Sequence, residues 1–253
     1  MRRRWIADEI TGDTAALVGD HAAHLARVLR AQVGQEFDIA TGDEVRRGTI
    51  TTISYDRVEF ALGAKRHGRR SLTPSAAPKI TLALAIFKFD RMEWAIEKCT
   101  EIGVAHIIPV IARRTDAHLA AAAPKRHDRW QRITRQASEQ SRREAPPEIA
   151  AAVKLKDLAG ETILPADVTR IVLAESLAES TDETRLTEVL LSTSPATEVI
   201  LAIGPEGGWT DSELTWFHDE GWTAASLGNT ILRAETAAIV ATALALEALR
   251  LSS

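Results

Sequence analysis

Residues 201–213 read LAIGPEGGWTDSE: an apolar run that breaks into a proline, three glycines and a glutamate. A glycine-rich turn after a strand can cradle a nucleotide, but the spacing here is GxxGG and not the GxGxxG of dinucleotide-binding turns. No lysine follows, so it is not a phosphate loop either. The plain alternative is a strand-to-helix turn, with Thr210 or Asp211 capping a helix over DSELTWFHDEG. A second stretch, LGNTILRAETA at 227–237, shifts the balance. ASLG ends another short strand in glycine, and an apolar helix follows. Two such strand ends make neighbouring ligand loops at the carboxyl edge of a parallel sheet. Leu227, Ile231 and Leu232 would form an apolar wall, with Arg233 as the only cation. Such a pocket suits an adenine ring and a thioether better than a triphosphate.

The surrounding sequence supplies the sheet. KITLALAI from Lys79 is a continuous apolar run, as expected of a strand covered on both faces. FDRMEWAIEKCTEIG spaces Met92, Ile96 and Cys99 on one helical face and stops at Gly103. HIIPVI, TRIVLA and EVILAI are further strands, and AETAAIVATALALEAL is a closing helix. Strands alternating with helices predict an α/β domain with a mostly parallel sheet.

Before residue 72 the texture differs. DHAAHLARVLRA places Leu25, Val28 and Leu29 on one helical face, with Asp20 as N-cap. EFDIA, VRRGTITTIS and RVEFAL then read as short strands joined by polar turns, the pattern of a compact barrel-like domain. GAKRHGRRSLTPSAAP (63–78) has the composition of an interdomain linker. The expected boundaries are 1–72 and 73–253.

Charge is unevenly spread. The net charge is −4, yet residues 113–143 carry nine lysines and arginines against three acids, a net of +6, while residues 144–253 carry six against eighteen, a net of −12. A concentrated basic segment on an acidic protein can steer a polyanion. In PKRHDRWQRITRQASEQSRRE (124–144), Trp130, Ile133, Ala137 and Ser141 share one helical face. Arg129, Arg132, Arg135, Arg142 and Arg143 lie opposite, diluted only by Glu139. That arginine face could meet RNA phosphates or simply be solvated.

Other chemistries are excluded or disfavoured. The single cysteine rules out an internal disulfide framework and a CxxC zinc site. The seven histidines are scattered, HExxH and GxSxG are absent, and no metal site is expected. No apolar run approaches the ~20 residues that span a bilayer, and no secretory signal is evident, so a cytoplasmic protein with no membrane partner is expected.

GPEGGWTDSEL with LGNTILRAETA resembles the paired signature of the SPOUT methyltransferases, and within them the 16S ribosomal RNA (uracil-N3)-methyltransferases. KCTEIGV (98–104) and EQSRR (139–143) fit the same pattern, and HLARVLRAQVGQEFDIATGD resembles that group's small PUA-like RNA-binding β-barrel. The resemblance spans essentially the whole chain. It implies an S-adenosylmethionine-binding trefoil knot in the carboxyl-terminal α/β domain, a homodimer, and methylation of N3 of a uridine near the 3′ end of 16S rRNA in the small ribosomal subunit. By motif match, the cofactor loops are Leu173, Ala174 and Glu175; Ile203, Gly204, Glu206 and Gly208; and Leu227, Gly228, Ile231 and Leu232. Two positions depart from the family, which usually has arginine where Thr230 and Ala145 stand.

Loss of the uracil N3 proton spreads negative charge onto the carbonyl oxygens, and a fixed cation there stabilises the transition state. Arg233 is the candidate; the plainer reading pairs it with Glu206 or Glu235. Glu206 is expected to organise its loop by bonding backbone amides. Arg27, Arg30, Arg142 and Arg143 are the candidates for RNA contact. Rival readings are a relative acting on another base or a ribose 2′-OH, and a non-catalytic RNA-binding assembly factor.

Overall fold

A computed structural model describes residues 4–42, 44–65, 79–158, 168–174, 184–192 and 198–251. The chain divides into two compact units, one formed by residues 1–72 and 135–146, the other by 73–134 and 147–253. The segment 135–146, which the sequence places in the second domain, therefore belongs with the first unit. The predicted linker falls mostly outside the described residues, except that 63–65 complete a strand.

The first unit holds a six-stranded sheet. Its strands are β1 (Arg4–Ile6), β2 (Glu9–Thr11), β3 (Thr14–Val18), β4 (Glu36–Ala40), β5 (Val45–Ile53) and β6 (Arg57–Lys65). The order is β1-β4-β5-β6-β3-β2, antiparallel except for β1 beside β4. The edge strands β1 and β2 do not pair with each other among the described residues, so the sheet is not closed into a full ring of hydrogen bonds. The sequence pattern does not announce β1 to β3: RWI and EIT are only three residues long, too short to show an alternation. Trp5, Leu17, Leu25, Ile39, Ile50 and Phe60 fill the core.

The first helix departs from expectation. α1 (Asp20–Ala23) is capped by Gly19, not Asp20, and runs directly into a π-helical turn over His24–Val28. Leu29 N–H bonds the His24 carbonyl and Ala31 N–H the Leu25 carbonyl. The wider turn breaks the 3.6-residue phase. Leu25 is fully buried, whereas Val28 and Leu29 are 65% and 51% exposed.

The second unit is an α/β layer structure. Its strands are β7 (Lys79–Ala85), β8 (His106–Ile111), β9 (Glu148–Ile149), β10 (Val153–Lys154), β11 (Thr169–Leu173), β12 (Glu198–Ile203) and β13 (Thr223–Ala225). All pairings are parallel, in the order β10-β8-β7-β12-β11-β13, with β9 also on β8. The helices are α2 (Phe89–Ile102), α3 (Ala117–Ala122), the first half of α4 (His127–Ser141), α5 (Leu186–Ser192), α6 (Asp211–Asp219) and α7 (Ala234–Leu251). Alternate residues of β7 explain its unbroken apolar run. Ile80, Leu82 and Leu84 pack with α2, α5 and α7, while Ala83 and Ala85 join Trp209, Phe217 and Trp222 on the other face. Cys99 is buried on α2, beside Thr242 of α7. Burial pushes its thiol up to about 12, which suits a packing residue and not a nucleophile.

The unit boundary falls inside α4, between Thr134 and Arg135. Trp130 and Ala137 are buried as the helical wheel predicts, but Thr134, Ser138 and Glu139 are buried too. Burial along the helix is thus wider than the face that carries Trp130, and two of the five arginines set opposite it are taken up by ion pairs. Glu139, expected among the solvated arginines, is fully buried and accepts the Ile6 N–H at 3.3 Å. Arg135 donates to the Ile6 carbonyl and to Asp8, the latter at 2.9 Å. Arg129 pairs with Glu93 at 2.8 Å. These arginines hold structure.

Candidate active site

Three strand ends build one cavity of about 800 Å3 at the carboxyl edge of the parallel sheet. β11 contributes Leu173 and Ala174, β12 leads into Ile203–Trp209, and β13 into Leu227–Arg233. This is the crevice that parallel α/β sheets use for ligands. Every residue expected at the cofactor lines it, apart from Glu175, which lies outside the described residues. Ile231 is 81% exposed and sits at the rim, so the apolar wall is carried mainly by Leu173, Ile203, Leu227 and Leu232.

The loop after β12 is held from several directions. Gly208 and Gly228 have φ of 69° and 117°, the region open to glycine at no steric cost. The Trp209 indole N–H donates to the Leu173 carbonyl at 3.1 Å, tying the β12 loop to the end of β11. A Cβ on Gly204 would stand 3.2 Å from that indole nitrogen, so the ring packs on bare backbone. α6 opens with a complete capping box between Thr210 and Glu213. The other Glu213 oxygen accepts the Arg113 N–H at 2.8 Å, which fixes the chain after β8 to the same corner. Thr210, one of the two caps expected from sequence, is the one used.

Arg233 is not the only cation here: Arg91 of α2 and Arg114 after β8 also line the cavity. Their environments differ. Arg91 pairs with Glu206 at 2.8 Å and stands 3.9 Å from the buried Glu235. The Arg114 guanidinium donates to the Gly207 carbonyl at 2.5 Å and to the Trp209 carbonyl at 3.3 Å. Arg233 is exposed and pairs with no described residue; its carbonyl accepts from Ala237 at the start of α7. The alternative pairing of Arg233 with Glu206 or Glu235 is not seen, and Arg91 occupies both carboxylates' neighbourhood instead. Glu206 accepts from that guanidinium, and from no loop amide among the described residues. Sequence reading misses Arg91 and Arg114, which reach the loop only through the fold, and Trp209, whose bond to Leu173 lies across the fold. Only Trp209 leaves a local trace, as the aromatic directly after the glycine pair.

The four arginines expected at RNA all belong to the first unit. Arg27, Arg30 and Arg142 are exposed, and Arg30 and Arg142 have left-handed φ of 52° and 62°. Arg143 is half-buried, and burial lowers its pKa, though a guanidinium stays charged. Among the described residues no three metal-ligating side chains cluster, and no helix is long and apolar enough to cross a membrane.

Residues 74–246 match the RNA methyltransferase domain model, and the chain belongs to that family. Particular relatives narrow the comparison. The chain is 31% identical over 242 residues to ribosomal RNA small subunit methyltransferase E of Synechocystis, covering 93% of this chain and 74% of that one. With the Bacillus subtilis protein of the same name, identity is 27%, covering 90% and 88%. A crystal structure of ribosomal RNA small subunit methyltransferase E from Neisseria gonorrhoeae bound to S-adenosyl methionine superposes with a TM-score of 0.79, at 27% identity and 96% coverage of both chains.

Proposed function

We propose that this protein transfers a methyl group from S-adenosylmethionine to N3 of a uridine in 16S rRNA of the small ribosomal subunit. The observation that carries the reading is the cavity itself. Three neighbouring parallel strands end in loops that together form a mostly apolar, glycine-backed chamber with no phosphate lysine. Its volume lies within the range of cofactor sites, ~300–1,000 Å3. The apolar side chains Leu173, Ile203, Leu227 and Leu232 suit an adenine ring and a thioether. Bare backbone at Gly208 and Gly228, where an added Cβ would meet at most the Arg114 guanidinium, lets polar atoms of a ligand approach the main chain. The Neisseria relative crystallised with this cofactor supports the assignment.

The bound cofactor supplies an electrophilic methyl group on sulfur, and the protein supplies position and charge. Arg114, Trp209 and Glu213 hold the β12 loop in one geometry. Arg91 pairs with Glu206 and stands near Glu235, which offsets part of the negative charge that an approaching anionic base would meet. Arg233 has no competing partner among the described residues, which fits it to stabilise the uracil oxygens as N3 loses its proton. Its place at the amino end of α7 adds the positive end of a helix dipole.

The remaining parts of the reading follow the resemblance. The first unit is the PUA-like RNA-binding domain, with Arg27, Arg30, Arg142 and Arg143 meeting the RNA. The second carries the trefoil knot, and the sheet order in which β13 lies beyond β11 accords with the chain returning past itself. The protein acts in the cytoplasm as a homodimer. Calorimetric titration with S-adenosylmethionine, followed by transfer of labelled methyl to unmodified small subunits, tests the function. Uptake of cofactor with transfer supports it; uptake of none would leave a binding-only protein and overturn it.

A further inference from the structure

At the tip of the β5–β6 hairpin, Tyr55 is 80% exposed, the most open aromatic side chain among the exposed large apolar residues. The Arg27 guanidinium lies over its ring, 4.1 Å from the centroid, and donates to the Tyr55 carbonyl at 3.2 Å. The fold does not need this ring. The turn is closed by the Ser54 amide and hydroxyl on the Arg57 carbonyl, and Gly19 N–H binds the Asp56 carbonyl at 2.7 Å. Two unusual backbone features lie at or just after Arg27 in the chain. The π-helical turn His24–Val28 ends beside Arg27 and turns Val28 and Leu29 outward, and Arg30 is held in the left-handed region. π-turns and strained non-glycine residues concentrate at functional sites.

We propose that Tyr55, braced by Arg27, is a stacking platform for one unpaired base of the RNA, with Arg30 serving the adjacent phosphate. The inference rests on the ribosomal RNA reading above. An aromatic ring with a cation on one face and solvent on the other is what single-stranded RNA binds: stacking on the open face, and electrostatic attraction from the arginines. Arg27 does two jobs. It fixes the ring by the cation–π interaction and the carbonyl bond, which lowers the cost of ordering an exposed side chain, and it adds positive charge where the backbone must pass.

Tyr55 is the only tyrosine in the chain, so one label reports on it alone. The full chain, with fluorotyrosine incorporated, is titrated by fluorine NMR with oligouridine and with an abasic strand of equal length. A shift with oligouridine and not with the abasic strand supports the platform. No shift, or an equal shift with both, overturns it. Tyr55→Ala is expected to weaken oligouridine binding about tenfold, and Tyr55→Trp to retain it. In methylation of small subunits, Tyr55→Ala should raise KM and leave kcat unchanged; a fall in kcat at unchanged KM would contradict a binding role. The titration needs no cofactor and no turnover. If wild-type protein transfers no methyl group, the functional reading fails while the fate of Tyr55 is still decided.

Discussion

Arginines occupy two regions of this molecule on opposite terms. Around the cavity, Arg91 and Arg114 are spent on Glu206 and on loop carbonyls, which leaves Arg233 as the cavity arginine without a described partner. Along α4, Arg129 and Arg135 are spent on Glu93 and Asp8, so that part of the positive stripe drawn from the sequence is structural. A guanidinium is a candidate for function where the fold provides no acceptor for it. Local charge density, by itself, does not distinguish the two cases.

The sharpest way to break that contrast is at Arg233. Arg233→Ala should lower kcat by ~100-fold or more, as for loss of a transition-state donor, with calorimetric cofactor affinity kept within a few-fold. A wild-type rate would remove Arg233 from the chemistry. Arg114→Ala should act in the complementary way. Without its bonds to the Gly207 and Trp209 carbonyls the β12 loop is freed, and cofactor affinity should fall about tenfold, with kcat at saturation much less affected.

On the structural side, Asp8 gives a pH test. Burial raises its pKa, but the hydrogen bonds from His21 and the Val18 amide, with the Arg135 charge, outweigh that and hold it below the ordinary aspartate value of 3.8. A carboxylate lowered in the folded state contributes stability that is full above its unfolded value and is lost as pH falls through the folded one. Asp8→Ala should therefore cost about 2 kcal/mol near neutrality and flatten the decline of stability on the acid side of that value, read by chemical denaturation across pH. The smallest effect is expected from Arg142 and Arg143 together. Their replacement should weaken RNA binding and reduce its salt slope modestly, by up to ~1 for each phosphate that is no longer neutralised. An unchanged slope would assign both to the scaffold with Arg135.

The parallel sheet and its ligand edge are legible in the sequence because their signals are local. A two-faced strand is continuously apolar, and glycine with TDSE marks a strand end followed by a capped helix. The first unit is harder to read. β1 and β2 are three residues each, and a π-turn discards the helical phase that groups Leu25, Val28 and Leu29. α4 misleads for another reason: its wider burial involves residues more than a hundred positions away, such as Ile6 and Asp8, which no window of sequence contains. Arg91 and Arg114 escape notice at the cavity for the same reason.

The most direct test of the central claim is the position of the transferred methyl. Small subunits lacking the modification, incubated with the protein and S-adenosylmethionine, are digested to nucleosides and mapped by mass spectrometry. The account predicts N3-methyluridine at a single site in 16S rRNA. Methyl on a ribose 2′-oxygen or on another base would contradict it.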